Sequence, residues 1–304
     1  MNHSSSFELI SRSRMIVVGT VRNVEKSIEG EIKRLSEATA QFKSVSFFIV
    51  ESDSQDETRM ALERLKQSVE NFSYIALGNL RNSIPDRIDR LSKARNTYVD
   101  YVKARRADFD YVLVADLDGV NTAINKEKVA TCFEKTGWGA CTANQIGPYY
   151  DIYALRAKNW SEKDCWAYAR SLIKGGSHPA KAWRLAIRDK QRKIATDESW
   201  IEVDSAFGGL AIYAIEAFCL GKYSADSKKE KNVSEHVAFH EFIREAGWRI
   251  YINPKMTNFD YNEHNDFHRL SRRLKFSIKY LISLALPRLF VLRIMPDLNE
   301  KRVD

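Results

Sequence analysis

Residues 112–121 read VLVADLDGVN. Four apolar residues run into two aspartates separated by Leu117, and Gly119 follows directly. A buried strand that ends on two like charges needs something to offset them. Alternate residues of an extended chain project to the same side, so Asp116 and Asp118 converge on one point if the strand persists that far. Two carboxylates brought together repel unless a proton or a cation lies between them. Hard oxygen ligands of this kind suit Mg2+ or Mn2+, which keep open positions for water and for substrate phosphates. Gly119 lets the backbone turn sharply or a ligand approach closely. Because D-x-D also matches many Asp-rich turns, its setting decides its meaning.

That setting is a β-α alternation. MIVVGTV (15–21), VSFFIVE (45–51), SYIAL (73–77) and YVLVAD (111–116) are short β-branched or aromatic runs, and each of the first three precedes a polar segment with helical spacing. The pattern predicts an α/β fold, a mostly parallel sheet flanked by helices, with ligands beyond the carboxyl ends of the strands. There the chain reads TVRN (20–23), ESDSQDET (51–58), GNLRN (78–82) and DLDG (116–119). In the second half, WGACTA (138–143) and IYAL (152–155) read as strands and residues 161–174 as a helix. SAFGGLAIY (205–213) reads as a glycine turn into a strand. SEHVAFHEFIREAGWRIYI (234–252) reads as an amphipathic helix, ended by Gly247, running into a last strand.

The strand ends carry candidate chemistry. Ser54 or Asp56 can cap the helix that follows, with Thr58 in its first turn. Glu51 and Asp53 are not needed for capping, and acids there suit hydrogen bonds to the N–H groups of a base or to ribose hydroxyls. Arg95-Asn96 lies on a helix leading into DLDG, where a bidentate donor could hold a diphosphate. Tyr149, Tyr150 and Asp151 follow Gly147-Pro148 at a loop and could line an acceptor sugar site. His236 and His240, four apart on one helix face, could ligate zinc with Glu235 or Glu241 assisting, although the H-E-x-x-H order is absent.

At 304 residues and 44% hydrophobic, the chain can bury one large core or two modest ones. Four cysteines without close pairing fit a reducing, cytosolic setting. The opening MNHSSSFELISRSR has no apolar stretch, and no uncharged run approaches the ~20 residues of a membrane span, so a soluble or membrane-surface protein is expected. The net charge of +8 concentrates in 269–293, RLSRRLKFSIKYLISLALPRLFVLR, which holds seven Lys or Arg and no acid. A near-neutral remainder argues against a surface built for nucleic acid. In that segment Leu270, Leu274, Ile278, Leu281, Ile282 and Ala285 share one helix face while Arg272, Lys275 and Lys279 lie away from it, before Pro287 interrupts. Such a basic amphipathic stretch can lie in an anionic membrane interface.

An acid-bearing second strand end, then ARN (94–96) on a helix, then a hydrophobic strand ending in D-x-D: this order resembles the nucleotide-sugar-dependent glycosyltransferases of the Rossmann-like GT-A fold, over roughly residues 14–255. FGGLAIY (207–213) takes the place of that family's glycine-rich acceptor-side turn, and SEHV (234–237) that of its helix-starting acidic motif. ARN, YYDIYALR (149–156) and SEHV are also similar to the fungal capsule-associated α-1,3-mannosyltransferases, which implies hexose chemistry.

The resemblance implies a glycosyltransferase domain over 1–260, with a nucleotide-sugar half at about 14–120 and an acceptor half at about 121–260, followed by a basic amphipathic C-terminal extension over 261–304. It implies that Asp53 contacts the nucleoside and Arg95 the diphosphate region. Asp116 and Asp118 would serve the ribose, a Mn2+ or Mg2+ ion and the β-phosphate, and Gly208 and Gly209 would present backbone groups to sugar hydroxyls. Glu235 matches the acid that acts as general base in inverting members. The commonest pair there is Glu-Asp, and Glu235-His236 leaves inversion or retention open. A third metal ligand is expected from His264 or His268 in YNEHNDFH (261–268), or from His236. The function implied is transfer of a hexose from a GDP- or UDP-hexose to a surface polysaccharide or glycolipid, at the inner face of a membrane contacted through 269–293, with no nucleic acid partner. Two other readings stand beside it: a noncatalytic membrane-associated scaffold of the same fold, and a zinc-dependent hydrolase using His236 and His240.

Overall fold

The computed structural model describes residues 3–260 together with Tyr280, Leu284 and Leu286; His264, His268 and most of 269–293 lie outside the described residues. The strands are β1 (Arg14–Val21), β2 (Ser44–Glu51), β3 (Phe72–Ala76), β4 (Tyr111–Ala115), β5 (Trp138–Asn144), β6 (Ile201–Val203), β7 (Leu210–Ala214) and β8 (Arg249–Thr257). The helices are α1 (His3–Arg12), α2 (Ile28–Thr39), α3 (Thr58–Ser68), α4 (Arg87–Ala104), α5 (Lys126–Ala130), α6 (Cys165–Lys174), α7 (Pro179–Ala186), α8 (Ile215–Phe218) and α9 (Glu235–Glu245).

The fold is the expected α/β architecture. One sheet runs in the order β3-β2-β1-β4-β7-β5-β8-β6 through both halves of the chain. Strands β3, β2, β1 and β4 pair in parallel, as β5 does with β8, whereas β7 runs antiparallel to both β4 and β5 and β6 antiparallel to β8. Both faces are apolar because helices cover both. In β4, Val112 and Val114 belong to one apolar cluster with Tyr98, Val99 and Val102 of α4, while Leu113 and Ala115 belong to another with Ile28, Ile32 and Leu35 of α2. A strand buried on both sides reads as a continuous apolar run, which is why these strands were legible.

Local chemistry sets the ends of the elements. Asp86 caps α4 by accepting the N–H groups of Ile88 and Asp89, and Asp164 caps α6 by accepting that of Ala167, so this helix begins at Cys165 rather than 161. The expected strand at 152–155 is a turn. Its carbonyls are taken by a side chain: Arg156 Nη1 donates to the oxygens of Tyr153 (3.0 Å) and Leu155 (2.9 Å), which leaves no ladder to join. The edge strand β6 and the helices α1, α5, α7 and α8 were not anticipated; α7 opens with His178 as cap and Pro179 in its first turn.

The antiparallel insertion of β7 matters most for function. Its register sets Leu210 opposite Ala115, so the start of β7 lies beside the end of β4. The parallel pairing of β5 and β8 brings the ends of those strands to the same edge. Gly19 in β1 makes this edge tight: a Cβ there would sit 2.6 Å from Leu117 Cδ1 and 2.7 Å from the Ala115 carbonyl oxygen. Gly19→Ala therefore displaces Leu117, and urea unfolding should show a loss of about 1–3 kcal/mol. A loss below about 0.5 kcal/mol, the size of an ordinary surface change, would show that the two strands part freely.

Candidate active site at the carboxyl edge of the sheet

Strand β4 stops at Ala115, yet its pairing runs one residue further, because the Asp116 N–H donates to the Gly209 carbonyl (2.9 Å). Leu117 is 1% exposed and anchors the chain between the two aspartates. The Asp116 side chain is 33% exposed, and Asp118 is exposed. Gly119 has φ +100, and a Cβ there would meet nothing within 4 Å, so the glycine serves the turn and not a close contact. Asn121 closes the loop, donating from Nδ2 to the Asp116 carbonyl (2.6 Å) and to the buried Glu31 carboxylate (3.0 Å).

The glycine pair is held against this ledge from below. Gly208 (φ +69) and Gly209 (φ +82) both need left-handed backbone, and a Cβ on Gly208 would lie 2.7 Å from the Ala143 carbonyl oxygen. The Gly208 carbonyl accepts from Asn258 Nδ2 (2.9 Å) and Gln145 Nε2 (3.2 Å), while its N–H donates to the Asp151 carboxylate (3.1 Å). Asn258 Nδ2 also reaches Asn121 Oδ1 (3.2 Å). The Tyr150 hydroxyl stands 3.3 Å from where a Gly209 Cβ would be, and burial, with the charges of Asp151, Asp116 and Asp118 behind it, raises its pKa well above the ordinary phenol. Tyr149 is fully buried behind this edge, packed against Trp160. The amides Asn121, Gln145 and Asn258 escaped the sequence reading, though each directly follows a strand or a turn at this edge, where a buried amide has backbone groups to satisfy.

Arg95 draws the other expected residues together. It is 3% exposed, and its guanidinium lies 3.2 Å from Asp116 Oδ1, 3.1 Å from Glu235 Oε1 and 3.1 Å from the Tyr98 hydroxyl. The rings of Phe207 and Tyr223 wall it at 5.3 and 5.5 Å. The fork expected to grip a diphosphate is thus turned onto two carboxylates of the protein. Loss of water, with repulsion from Asp118, Asp151 and Glu235, pushes the Asp116 carboxyl up to about 7 against the pull of Arg95. A carboxylate surrounded by this much negative charge fits a hard divalent cation, which Asp116 and Asp118 would hold with open positions remaining.

Asp53 stands apart at the end of β2. Its backbone is left-handed (φ +61), and its carboxylate accepts the Arg81 N–H (2.8 Å), which ties the loop after β3 to it. Glu51 turns inward, 0% exposed, paired with Arg59 (2.8 Å) and accepting the Ser54 N–H (3.0 Å), so it has no face for a nucleoside. Asp56 binds the N–H and hydroxyl of Thr58 at the start of α3.

Both histidines of α9 are buried. His240 is fully buried, with Nδ1 2.9 Å from the Ser205 hydroxyl and Nε2 2.9 Å from the Tyr213 hydroxyl, so neither nitrogen faces a metal. His236 stacks on Phe207 at 3.9 Å, and burial with the charge of Arg95 lowers its pKa well below the ordinary imidazole. With both ring nitrogens of His240 engaged, the zinc hydrolase reading loses one of its two proposed ligands, and among the described residues no three His, Cys, Asp or Glu side chains gather as a metal cage.

No family model matches the chain, and no curated protein matches it. Among solved structures it is similar to a mannosyltransferase from Pyrobaculum calidifontis in complex with GDP-Man and Mn2+, at 15% identity over 93% of this chain and 72% of that one, with a TM-score of 0.48. It is similar also to S. aureus TarS in complex with UDP-GlcNAc (13% identity, 94% and 71% of the chains, TM-score 0.48). A third is glucosyl-3-phosphoglycerate synthase from Mycobacterium tuberculosis in complex with UDP (11% identity, 94% and 86%, TM-score 0.45). At such identities and scores these likenesses say nothing of individual side chains, and the chemistry rests on the geometry above.

Two measurements check this geometry. Arg95→Met strands two carboxylates behind the ledge and should cost about 3–5 kcal/mol, whereas Arg95→Met with Glu235→Gln should recover part of that loss. Additive effects in denaturant unfolding would show that the two groups do not interact. His240, held to a pKa of about 3 by burial and by the Arg244 charge, refuses protons that the unfolded chain accepts from about pH 6.5 downward. Its contribution is therefore complete above about pH 6.5 and lost as pH falls toward 3, at up to about 1.4 kcal/mol per pH unit. His240→Gln should flatten the stability slope between pH 6 and 4.5 by close to one proton; an unchanged slope would mean that the histidine titrates normally.

Proposed function

We propose that this protein is a metal-dependent glycosyltransferase that moves a hexose from a GDP- or UDP-hexose to a surface polysaccharide or glycolipid acceptor. One observation carries the reading: Asp116, its carboxylate partly exposed and paired from behind with buried Arg95, is tied through its backbone N–H to Gly209 and stands two residues before exposed Asp118, at the ligand edge of the sheet. A Mn2+ or Mg2+ ion held by Asp116 and Asp118 would supply Lewis-acid stabilisation to the departing nucleoside diphosphate. The Gly208 carbonyl and N–H and the Gly209 carbonyl are already bonded within the protein, so the expected role of this turn in meeting sugar hydroxyls gives way to bracing the ledge, and Asp53 would face the nucleoside end. Arg95 fixes the Asp116 carboxylate, so its influence on the diphosphate passes through that residue. Glu235 is 4% exposed and paired through Oε1 with Arg95, which leaves little of its carboxylate to meet an acceptor hydroxyl. We therefore assign Glu235 as a positioning residue rather than the general base. His264 or His268 would complete the metal site from the segment after β8. An acceptor built on a lipid carrier would place the work in the cytoplasm at the inner face of the membrane.

The same buried Glu235-His236 pair favours the second reading, a scaffold of this fold without chemistry. Calorimetric titration separates the two. The transferase reading expects UDP or GDP to bind only with Mn2+ or Mg2+ present, and Asp118→Ala to abolish transfer and nucleotide-sugar hydrolysis while the protein stays folded. Full activity in that variant, or no nucleotide binding by the parent chain, would overturn it.

A further inference from the structure

Glu31 is a buried acid that the proposed chemistry does not use. It lies in the first turn of α2, is 0% exposed, and pairs through Oε1 with Arg34 one turn further on. Its other oxygen, Oε2, accepts from Asn121 Nδ2 (3.0 Å), the same nitrogen that donates to the Asp116 carbonyl (2.6 Å). Asn121 Oδ1 accepts in turn from Asn258 Nδ2 (3.2 Å), which also donates to the Gly208 carbonyl (2.9 Å). Both amides are fully buried. Each amide nitrogen therefore meets two acceptors, as many as it has hydrogens.

Glu31 sets the direction of this row. A carboxylate paired with an arginine accepts, and so does a peptide carbonyl, so the nitrogen of Asn121 must face those two and its oxygen must face Asn258. What the row holds is the loop that carries both aspartates. The backbone of Asp116 is engaged on both sides, its N–H by the Gly209 carbonyl (2.9 Å) and its carbonyl by Asn121. Past the loop, the Ala123 N–H donates to the Asn258 carbonyl (2.7 Å), which pins the far end to the same partner. Asp118 and the left-handed Gly119 lie between these anchors, so the path of the backbone that presents Asp118 is set by groups from α2 and from the end of β8.

We infer that Asn121, oriented by Glu31, is the positioning residue of the ledge: it fixes the loop from which Asp116 and Asp118 would take a divalent cation, an inference that rests on the transferase reading. The charge-neutral exchange of Glu31→Gln with Asn121→Asp tests it. The new amide at 31 can donate to the new carboxylate at 121 while its oxygen still accepts from Arg34, and Asn258 keeps its acceptor, but the Asp116 carbonyl loses its donor. A role confined to folding would be repaired by this exchange. The double variant should recover most of the thermal midpoint that Asn121→Asp alone loses, yet bind Mn2+ with UDP or GDP about 10–100-fold more weakly than the parent in calorimetry, the usual cost of losing a group that orients metal ligands. Asn121→Ala, which leaves the Glu31–Arg34 pair in place, should show the same weakening. Parental Mn2+ and nucleotide binding in either variant overturns the assignment, as does failure of both to fold, which would leave Asn121 a structural residue only. A parent chain that binds no nucleotide with Mn2+ instead sinks the transferase reading, and this assignment with it.

Discussion

A guanidinium buried to 3% exposure between two carboxylates holds this site in place. Arg95 comes from the middle of α4, Asp116 from the end of β4, Glu235 from the first turn of α9, and Phe207, which covers the group, immediately precedes the glycine turn. Taking one charge of this kind out of water costs several kcal/mol, and only good geometry with both acids offsets that cost. The three elements are therefore not independently free to move. Under the proposed function Asp116 would be shared between Arg95 on the inside and a cation on the outside, and Glu235 would keep Arg95 neutralised. That pairing gives the acid at the start of α9 a structural reason for being there.

Much of the fold was legible because both faces of the sheet are covered, so that strands such as VLVA show as unbroken apolar runs with polar ends. The Asp116–Asp118 ledge was legible for the same reason. Strand direction was not: an apolar strand reads the same either way, and only pairing reveals that β7 is reversed and thereby sets Gly209 against Asp116. Arg95 was read as a ligand-facing donor because its partners lie 21 and 140 residues along the chain, where no local pattern points. The amide network of Asn121, Gln145 and Asn258 is hidden likewise, since each amide answers a backbone group brought near by the topology. His240 looked like half of a metal pair, and what distinguishes it is two hydroxyls from β7 and the segment before it.

Charge was misjudged for a related reason. A net +8 with +7 in one segment leaves a sum near zero, and a sum near zero hides a +8 stretch set against −7 elsewhere. Sequence patterning finds runs, whereas 156–193 spreads its basic residues through two short helices and their flanks.

The connection from β5 to β6 joins these two themes. It supplies Gln145, Tyr150 and Asp151 to the glycine turn, then α6 and α7 to the basic stretch. Between them sits Arg156, 5% exposed, which binds Asp164 at the cap of α6 (3.3 Å) and Glu230 on the approach to α9 (2.8 Å). Its backbone also exchanges hydrogen bonds with Asp204 and Ser205 just ahead of the glycines. A buried pair broken on one side is costly, so this clamp resists independent motion of the hairpin and the turn. A force on α6 is thereby carried through Arg156 to the backbone beside Gly208, so the hairpin and the glycine turn answer to one clamp.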